Sequence, residues 1–132
     1  METHRLVTLV GPGGTGKTRI AQHIAESKIE SFKDGVWLIE LDRPPTTAEI
    51  LTEIAQMLRA PDVPGVANGE RVLQHLSGRS VLLPLDNCEH VKSEVAQLAS
   101  QWLRSSEKLS LLATSREPLG IGGEAIYRVP SL

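Results

Sequence analysis

The sequence has almost no cysteine, no long apolar run and no excess of basic residues. Only Cys88 is present among 132 residues, so no disulfide can form within the chain, which is compatible with a reducing cytosol. The N-terminus has a short apolar run without signal-peptide architecture, and no stretch approaches the ~20 apolar residues that span a bilayer. We therefore expect a cytoplasmic protein without a membrane segment.

The charge balance is close to neutral, with 14 Lys and Arg against 16 Asp and Glu. Nucleic-acid binding usually needs a basic excess, so we expect no direct contact of this segment with nucleic acid. With 40% hydrophobic and 23% charged residues, the composition is that of an ordinary globular protein. A length of 132 residues suits one buried core, and residues 1–132 are predicted to form a single domain.

Short apolar runs that end in glycine, proline or a polar residue alternate with segments of helical periodicity. This alternation predicts parallel βαβ units, an α/β fold with a sheet covered by helices on both faces. Strands are predicted at 6–10, 36–41, 80–86, 109–114 and 125–129. Helices are predicted at 17–27, after the capping box Thr46-x-x-Glu49, around Val72 to Leu76 and from Val91 to Leu103, with a surface loop at 60–69.

The stretch from Gly11 to Thr18 reads GPGGTGKT and fits the phosphate-binding pattern G-x-x-x-x-G-K-[ST] between a strand and a helix. Glycines let backbone amides approach a bulky anion, and the helix adds its positive end. Lys17 is expected to reach the β- and γ-phosphates, and the Thr18 hydroxyl to ligate Mg²⁺. The predicted nucleotide-binding residues are Gly11, Pro12, Gly13, Gly14, Thr15, Gly16, Lys17, Thr18, Arg19 and Thr114.

Asp86 ends an apolar strand about 70 positions after this loop, the layout of a Walker B carboxylate that holds magnesium with Thr18. The alternative is an aspartate that caps the next helix. ATP hydrolysis also needs a group that orients water, and Asn87 stands where many such ATPases have an acid. Glu89 is the nearest remaining acid, either as that catalytic group or as an ordinary acid of a first helical turn.

Thr114 and Arg116 lie at the end of the fourth predicted strand. Since the carboxyl ends of parallel strands line one crevice, both residues should face the same site as Asp86. Arg116 is expected to sense γ-phosphate charge, and the alternative is a salt bridge with Glu117. The catalytic candidates are thus Lys17, Glu89 and Arg116.

Cys88 next to this site suggests either a redox switch or a small buried residue, and burial is the more common state of a free cysteine. The four histidines show no metal-ligand spacing. Trp37 and Trp102 stand in apolar patterns that favour core packing.

Four segments together, LVTLVGPGGTGKTRIA, DGVWLIEL, LLPLDNCEH and LLATSREPLG, resemble the NB-ARC-type ATPase core of bacterial STAND regulators, found in large LuxR-type and SARP-type transcriptional regulators. The resemblance covers nearly all of residues 5–132. It implies a switch that binds ATP or ADP with Mg²⁺, Asp86 as the Walker B acid and Arg116 as the sensor arginine. It also implies the strand order 5-1-4-3-2.

Three features depart from that family. The segment that helps to bind the base before the first strand does not appear, and neither do the helical lid and winged-helix domains that follow the fifth strand. We therefore expect a truncated core whose partners are the nucleotide and the other domains of a larger regulator. Pro84 replaces the usual valine and predicts a bulge or a locally weakened strand.

The function expected from these features is that of a nucleotide-dependent switch with slow ATP hydrolysis. Two alternatives remain open. One is a small P-loop phosphotransferase, which would need an acceptor pocket and lid arginines, and the stretch 60–69 supplies no basic lid. The other is an inactive fragment of a larger regulator.

Overall fold

The computed structural model describes residues 5–13, 16–41, 46–61 and 64–130. The strands are β1 (Leu6–Val10), β2 (Ile39–Glu40), β3 (Val81–Asp86), β4 (Leu109–Ser115) and β5 (Glu124–Arg128). The helices are α1 (Lys17–Ser27), α2 (Thr47–Met57), α3 (Asn68–Leu76) and α4 (Lys92–Ser105), with short 3-10 helices at Ile29–Ser31 and Cys88–Val91. The predicted alternation of strands and helices is confirmed.

The five strands form one parallel sheet in the order β2-β3-β4-β1-β5. Read from the other edge, this is the order 5-1-4-3-2 that the family resemblance implies, so that expectation is confirmed. β1 lies between β4 and β5, with Leu6 opposite Leu111 on one side and Glu124 on the other. The carboxyl ends of β1, β3 and β4 consequently meet at one edge of the sheet.

Alternate residues of each strand point to opposite faces of the sheet, and the two faces have different cover. One face, the three-helix face, packs against α2, α3 and α4 around the fully buried Trp102. The other, the α1 face, carries a smaller cluster in which Ala21 and Ala25 of α1 lie on strand residues. The strand residues of this smaller cluster are Val7, Leu9, Leu82 and Leu112.

Pro84 does not produce a bulge in β3. The register with β4 runs unbroken from Val81 opposite Leu109 to Leu85 opposite Ala113. On the other side of β3, Leu82 receives a hydrogen bond from Trp37 N–H at 3.0 Å and donates its own N–H to Gly35 at 3.1 Å. In this alternation the next donor would be residue 84, and proline has no N–H.

The second strand is therefore shorter than the predicted 36–41. Val36 forms an isolated bridge with Leu82, and β2 itself spans only Ile39–Glu40. Pairing resumes beyond Pro84, since Leu41 N–H donates to the carbonyl of Asp86 at 2.9 Å. The weakening that Pro84 predicts thus lies on the β2 side of the strand.

The capping box at the start of α2 is present in its first half, because the Thr46 hydroxyl accepts the Glu49 N–H at 3.1 Å. The loop predicted at 60–69 is shorter than expected, because α3 already begins at Asn68. Among the described helices, none is long and apolar enough to cross a membrane.

Candidate phosphate-binding site

The candidate site lies where β1 leads into α1, beside the ends of β3 and β4. Gly16 adopts φ 84°, a left-handed conformation that suits glycine, and its residue position directly precedes the first turn of α1. Lys17 at the start of that turn is only 8% exposed. The sequence folds here as its strand, loop and helix pattern predicts.

Lys17 is held against the loop itself. Its Nζ donates to the carbonyl of Gly11 at 2.5 Å and to that of Pro12 at 3.0 Å. A buried ammonium requires such acceptors, because an unpaired charge away from water is costly. These two contacts keep the ammonium at the mouth of the loop, on a flexible stem that can turn towards an anion.

The side chain of Asp86 connects α1 with the central strands. Thr18 Oγ1 lies 2.9 Å from Oδ1 and 3.1 Å from Oδ2 of Asp86. The Thr114 hydroxyl donates to Oδ1 at 2.6 Å and accepts the backbone N–H of Asn87 at 2.9 Å. Asp86 is 7% exposed and Thr114 is fully buried.

This arrangement argues against Asp86 as a helix cap. The residue that precedes the 3-10 helix Cys88–Val91 is Asn87, and the N-cap of α4 is Val91. The carboxylate points instead to two hydroxyl groups, one on α1 and one on β4. Thr114 is predicted as a nucleotide-binding residue, and in the structure its hydroxyl donates to the Asp86 carboxylate.

A cavity of about 290 Å³ lies over the loop and is lined by six of the predicted site residues. It brings together Lys17 and Thr18 with Glu89 and Arg116. Gly14 and Thr15 lie outside the described residues. Arg19 is exposed and is not part of the cavity wall. The residues that line the cavity are Gly13, Gly16, Lys17, Thr18, Asn87, Glu89, His90 and Arg116.

Arg116 extends over the loop. A Cβ atom on Gly13 would lie 3.3 Å from its Nη2 atom, so a side chain at Gly13 would press on the guanidinium. Glu117, the alternative partner of Arg116, pairs instead with Lys92 at 3.4 Å. The guanidinium of Arg116 therefore lies at the loop, and the ion pair of Glu117 is with Lys92.

Glu89 and His90 enter the cavity from the turn that follows β3. Asn87 adopts φ 61° and redirects the chain there. Glu89 Oε2 is buried, and it has no hydrogen-bond partner among the residues that the structure describes. His90 was missed by the sequence interpretation, which looked for metal spacing. Its position next to Glu89 and four residues after Asp86 could have indicated that His90 lies at the same site.

Cys88 is fully buried, and its Sγ contacts the carbonyl of Leu85 at 3.3 Å. Burial raises the pKa of the Cys88 thiol, and the carboxylates of Glu89 and Asp86 raise it further. A thiol with a raised pKa forms little of the reactive thiolate. The structural interpretation of Cys88 is favoured over the redox switch.

Residues 1–117 match the family model described as AAA domain. The chain belongs to the AAA domain family. This AAA domain is 38% identical over 129 residues to a Mycobacterium tuberculosis protein named "Putative HTH-type transcriptional regulator", in a match that covers 98% of the chain and 14% of that protein. The domain therefore spans about one seventh of that relative.

Solved structures share the fold of the AAA domain. Cdc6p from Pyrobaculum aerophilum superposes with a TM-score of 0.70 at 21% identity, covering 96% of this chain and 40% of that one. The STAND protein with a tetratricopeptide repeat sensor from Pyrococcus horikoshii gives a TM-score of 0.62 at 13% identity, covering 96% and 21%. The α/β P-loop fold predicted from the sequence is thus confirmed.

Proposed function

We propose that this AAA domain is the Mg-nucleotide-binding core of a STAND-type signalling ATPase of the NB-ARC kind, and that it acts as an ATP/ADP switch within a transcriptional regulator. The observation that carries the proposal is the contact of the Thr18 hydroxyl with both carboxylate oxygens of Asp86, beside a cavity that holds Lys17 and Arg116. Two cations and a hydroxyl–carboxylate pair at a helix start form a site for a phosphate chain with a divalent cation.

Lys17 would exchange its contacts with the loop carbonyls for phosphate oxygens. Its ammonium already lies at the loop, with Nζ 2.5 Å from the carbonyl of Gly11, and Lys17 is part of the cavity wall. A charge-assisted hydrogen bond to phosphate is stronger than one to a neutral carbonyl, so the exchange favours binding. The α1 N-terminus, with Gly16 in a left-handed turn, adds its dipole.

The residues fit magnesium. Thr18 and Asp86 supply hard oxygen donors within 3.1 Å of each other, and Mg²⁺ in phosphate sites takes few protein ligands beside phosphate and water. Thr114 keeps the carboxylate turned towards Thr18 through its 2.6 Å hydrogen bond. When bound, the metal would neutralise charge on the β- and γ-phosphate oxygens.

Arg116 and Glu89 would respond to the γ-phosphate. The guanidinium lies over Gly13, where it can donate to phosphate oxygens and favour ATP over ADP. Glu89 has a free buried oxygen on the cavity side and is the candidate to orient a water molecule. We expect slow hydrolysis, because Asn87 follows Asp86 where an acid would stand closer to the phosphate.

The regulatory part of the proposal rests on the relatives. The match to the mycobacterial regulator covers 14% of that protein, which leaves room for a lid, a winged helix and DNA-binding or sensor domains. Such domains would enclose the nucleotide and change conformation according to whether ATP or ADP is bound. In this proposal the AAA domain supplies the phosphate site, and neighbouring domains supply the moving parts.

The test is isothermal titration of Lys17→Ala with ATP and ADP in the presence of Mg²⁺. Loss of a charged hydrogen-bond partner should weaken binding by roughly 10- to 100-fold. Lys33→Ala serves as the matched control, since Lys33 is exposed and outside the cavity, and it should bind as the wild type does. Equal affinities of Lys17→Ala and wild type would refute the phosphate site.

A further inference from the structure

The carboxylate of Glu124, the first residue of β5, accepts three hydrogen bonds. The Thr8 hydroxyl donates to its Oε2 at 2.5 Å, and the backbone N–H of Leu119 donates to the same oxygen at 2.8 Å. The N–H of Gly120 donates to Oε1 at 3.1 Å. Hydrogen bonds to an ionised group are stronger than those between neutral groups, so this is a firm junction.

Glu124 restrains the β4–β5 connection, a glycine-rich segment, through hydrogen bonds to its backbone. The β4–β5 connection, residues 116–123, contains three glycines, and Gly120 and Gly123 adopt φ values of 80° and 82°. Glycine loses more conformational freedom on folding than any other residue, so such a segment needs contacts to keep one shape. Leu119, which is 3% exposed, anchors the middle of the connection in the core, and the carboxylate holds its backbone.

The connection begins with Arg116, whose guanidinium lies over Gly13. Thr8, the third partner of Glu124, lies on β1 three residues before Gly11. Glu124 therefore ties β1, the strand that leads into the loop, to the middle of the connection that carries the arginine. The start of that connection is held to the same strand end by the Gly11 N–H, which donates to the carbonyl of Ser115 at 3.2 Å.

We propose that Glu124 is a positioning residue for Arg116. The carboxylate holds the β4–β5 connection against β1, so that the guanidinium stays at the phosphate cavity, ordered before nucleotide arrives. Preorganisation of this kind favours the nucleotide that uses the arginine, namely ATP, and leaves ADP unaffected. The inference rests on the proposed role of Arg116 as a γ-phosphate sensor.

The test is a double-mutant cycle of Glu124→Gln and Arg116→Ala, with ATP and ADP affinities measured by titration calorimetry in Mg²⁺. The amide of glutamine offers one acceptor oxygen in place of two, so at least one backbone N–H loses its partner. We expect Glu124→Gln to weaken ATP binding about fivefold and to leave ADP binding within about twofold. In the Arg116→Ala background the same change should have no further effect on ATP.

A structural readout accompanies the cycle. Hydrogen exchange should become faster in Glu124→Gln at the amide of Leu119, of Gly120 or of both, because at least one of these N–H groups loses its acceptor. Glu53→Gln on the exposed surface of α2 is the matched control and should change neither exchange nor affinity. If Glu124→Gln does not fold, Glu124→Asp, which keeps the charge and shortens the reach, enters the same cycle.

The outcomes separate this inference from the proposed function. If Arg116→Ala removes the preference for ATP, but Glu124→Gln weakens ATP and ADP equally or acts equally in both backgrounds, the positioning role is wrong and the sensor role stands. If Arg116→Ala leaves the ratio of ATP to ADP affinity unchanged, the sensor role itself is wrong, and the inference falls with it. If Glu124→Gln and Arg116→Ala are coupled in ATP binding but not in ADP binding, both the positioning role and the sensor role are supported.

Discussion

The two faces of the sheet differ in how they are covered and in what they carry. On the three-helix face, α2, α3 and α4 close over a continuous apolar core that contains fully buried residues such as Trp102 and Leu83. On the α1 face, one α-helix lies on a small apolar cluster, with a cavity of about 370 Å³ on one flank and one of about 500 Å³ on the other.

The candidate site belongs to the sparsely covered face. Asp86 ends β3, and Thr114 is the last residue but one of β4; both line the cavity beside α1. The Thr18 hydroxyl reaches Asp86 from the helix. The three-helix face meanwhile contains mostly apolar side chains. We infer that the three-helix face provides most of the stability, while the α1 face keeps polar groups and open space for a ligand.

The largest expected change in the free energy of unfolding comes from truncating a leucine side chain on each face. Leu82 and Leu83 are neighbours in β3 and both are fully buried, but Leu83 belongs to the three-helix core and Leu82 to the α1 cluster. Leu83→Ala should cost about 4 kcal/mol and Leu82→Ala about 2 to 3 kcal/mol, because a loosely covered site relaxes more easily. Urea unfolding measures both. A larger loss for Leu82→Ala would contradict the division between the faces.

A smaller effect is expected from Thr114→Val, which removes a hydroxyl from the α1 face and keeps the shape of the side chain. The change leaves Asp86 and the N–H of Asn87 each without one hydrogen bond, at a cost of about 1 to 3 kcal/mol. Because Asp86 also loses its orientation, Mg²⁺ should strengthen nucleotide binding less than in the wild type. Titrations with and without Mg²⁺ measure this.

Thr114→Ser is the matched control for that experiment. Serine keeps the hydroxyl and should keep the magnesium dependence close to that of the wild type. If the valine and serine variants behave alike, the hydroxyl of Thr114 does not orient Asp86, and its contribution is one of packing alone.

The smallest effect is expected from Pro84→Val, which restores a backbone donor towards β2. One new hydrogen bond contributes about 0.5 to 1.5 kcal/mol, while loss of the proline constraint on the unfolded chain costs about 0.4 to 1 kcal/mol. The net change in the free energy of unfolding should stay below about 1 kcal/mol. Hydrogen exchange should nevertheless show that the new amide at position 84 is protected. An unprotected amide would mean that it forms no hydrogen bond to the backbone carbonyl of Trp37.

Much of the fold followed from local patterns. β1 and α1 have the predicted bounds, because an apolar run closed by glycines and a stripe of helical period are strong signals. The shortening of β2 was not predicted in its own segment, since its cause is Pro84, which lies in the partner strand. A strand pairs only where the adjacent strand offers its backbone N–H and C=O groups. The pattern of residues 36–41 contains no information about the adjacent strand.

The site shows the same limit. Lys17, Thr18, Asp86, Glu89 and Arg116 were candidates from motif and spacing. The hydrogen bond of Thr114 to Asp86 and the place of His90 in the cavity wall needed the tertiary structure. Thr114 is predicted to contact nucleotide, and only the register between β3 and β4 brings its hydroxyl within hydrogen-bond distance of Asp86.

By itself, the sequence determined the loop chemistry and the α/β class, because glycines, a lysine and a threonine at fixed spacing act through the local backbone. The tertiary structure decided which groups meet. Thr18 and Asp86 are 68 positions apart, and Thr8 and Glu124 are 116 apart. Contacts between such distant residues depend on strand order and register, which arise from how all the strands and helices bury their apolar faces together.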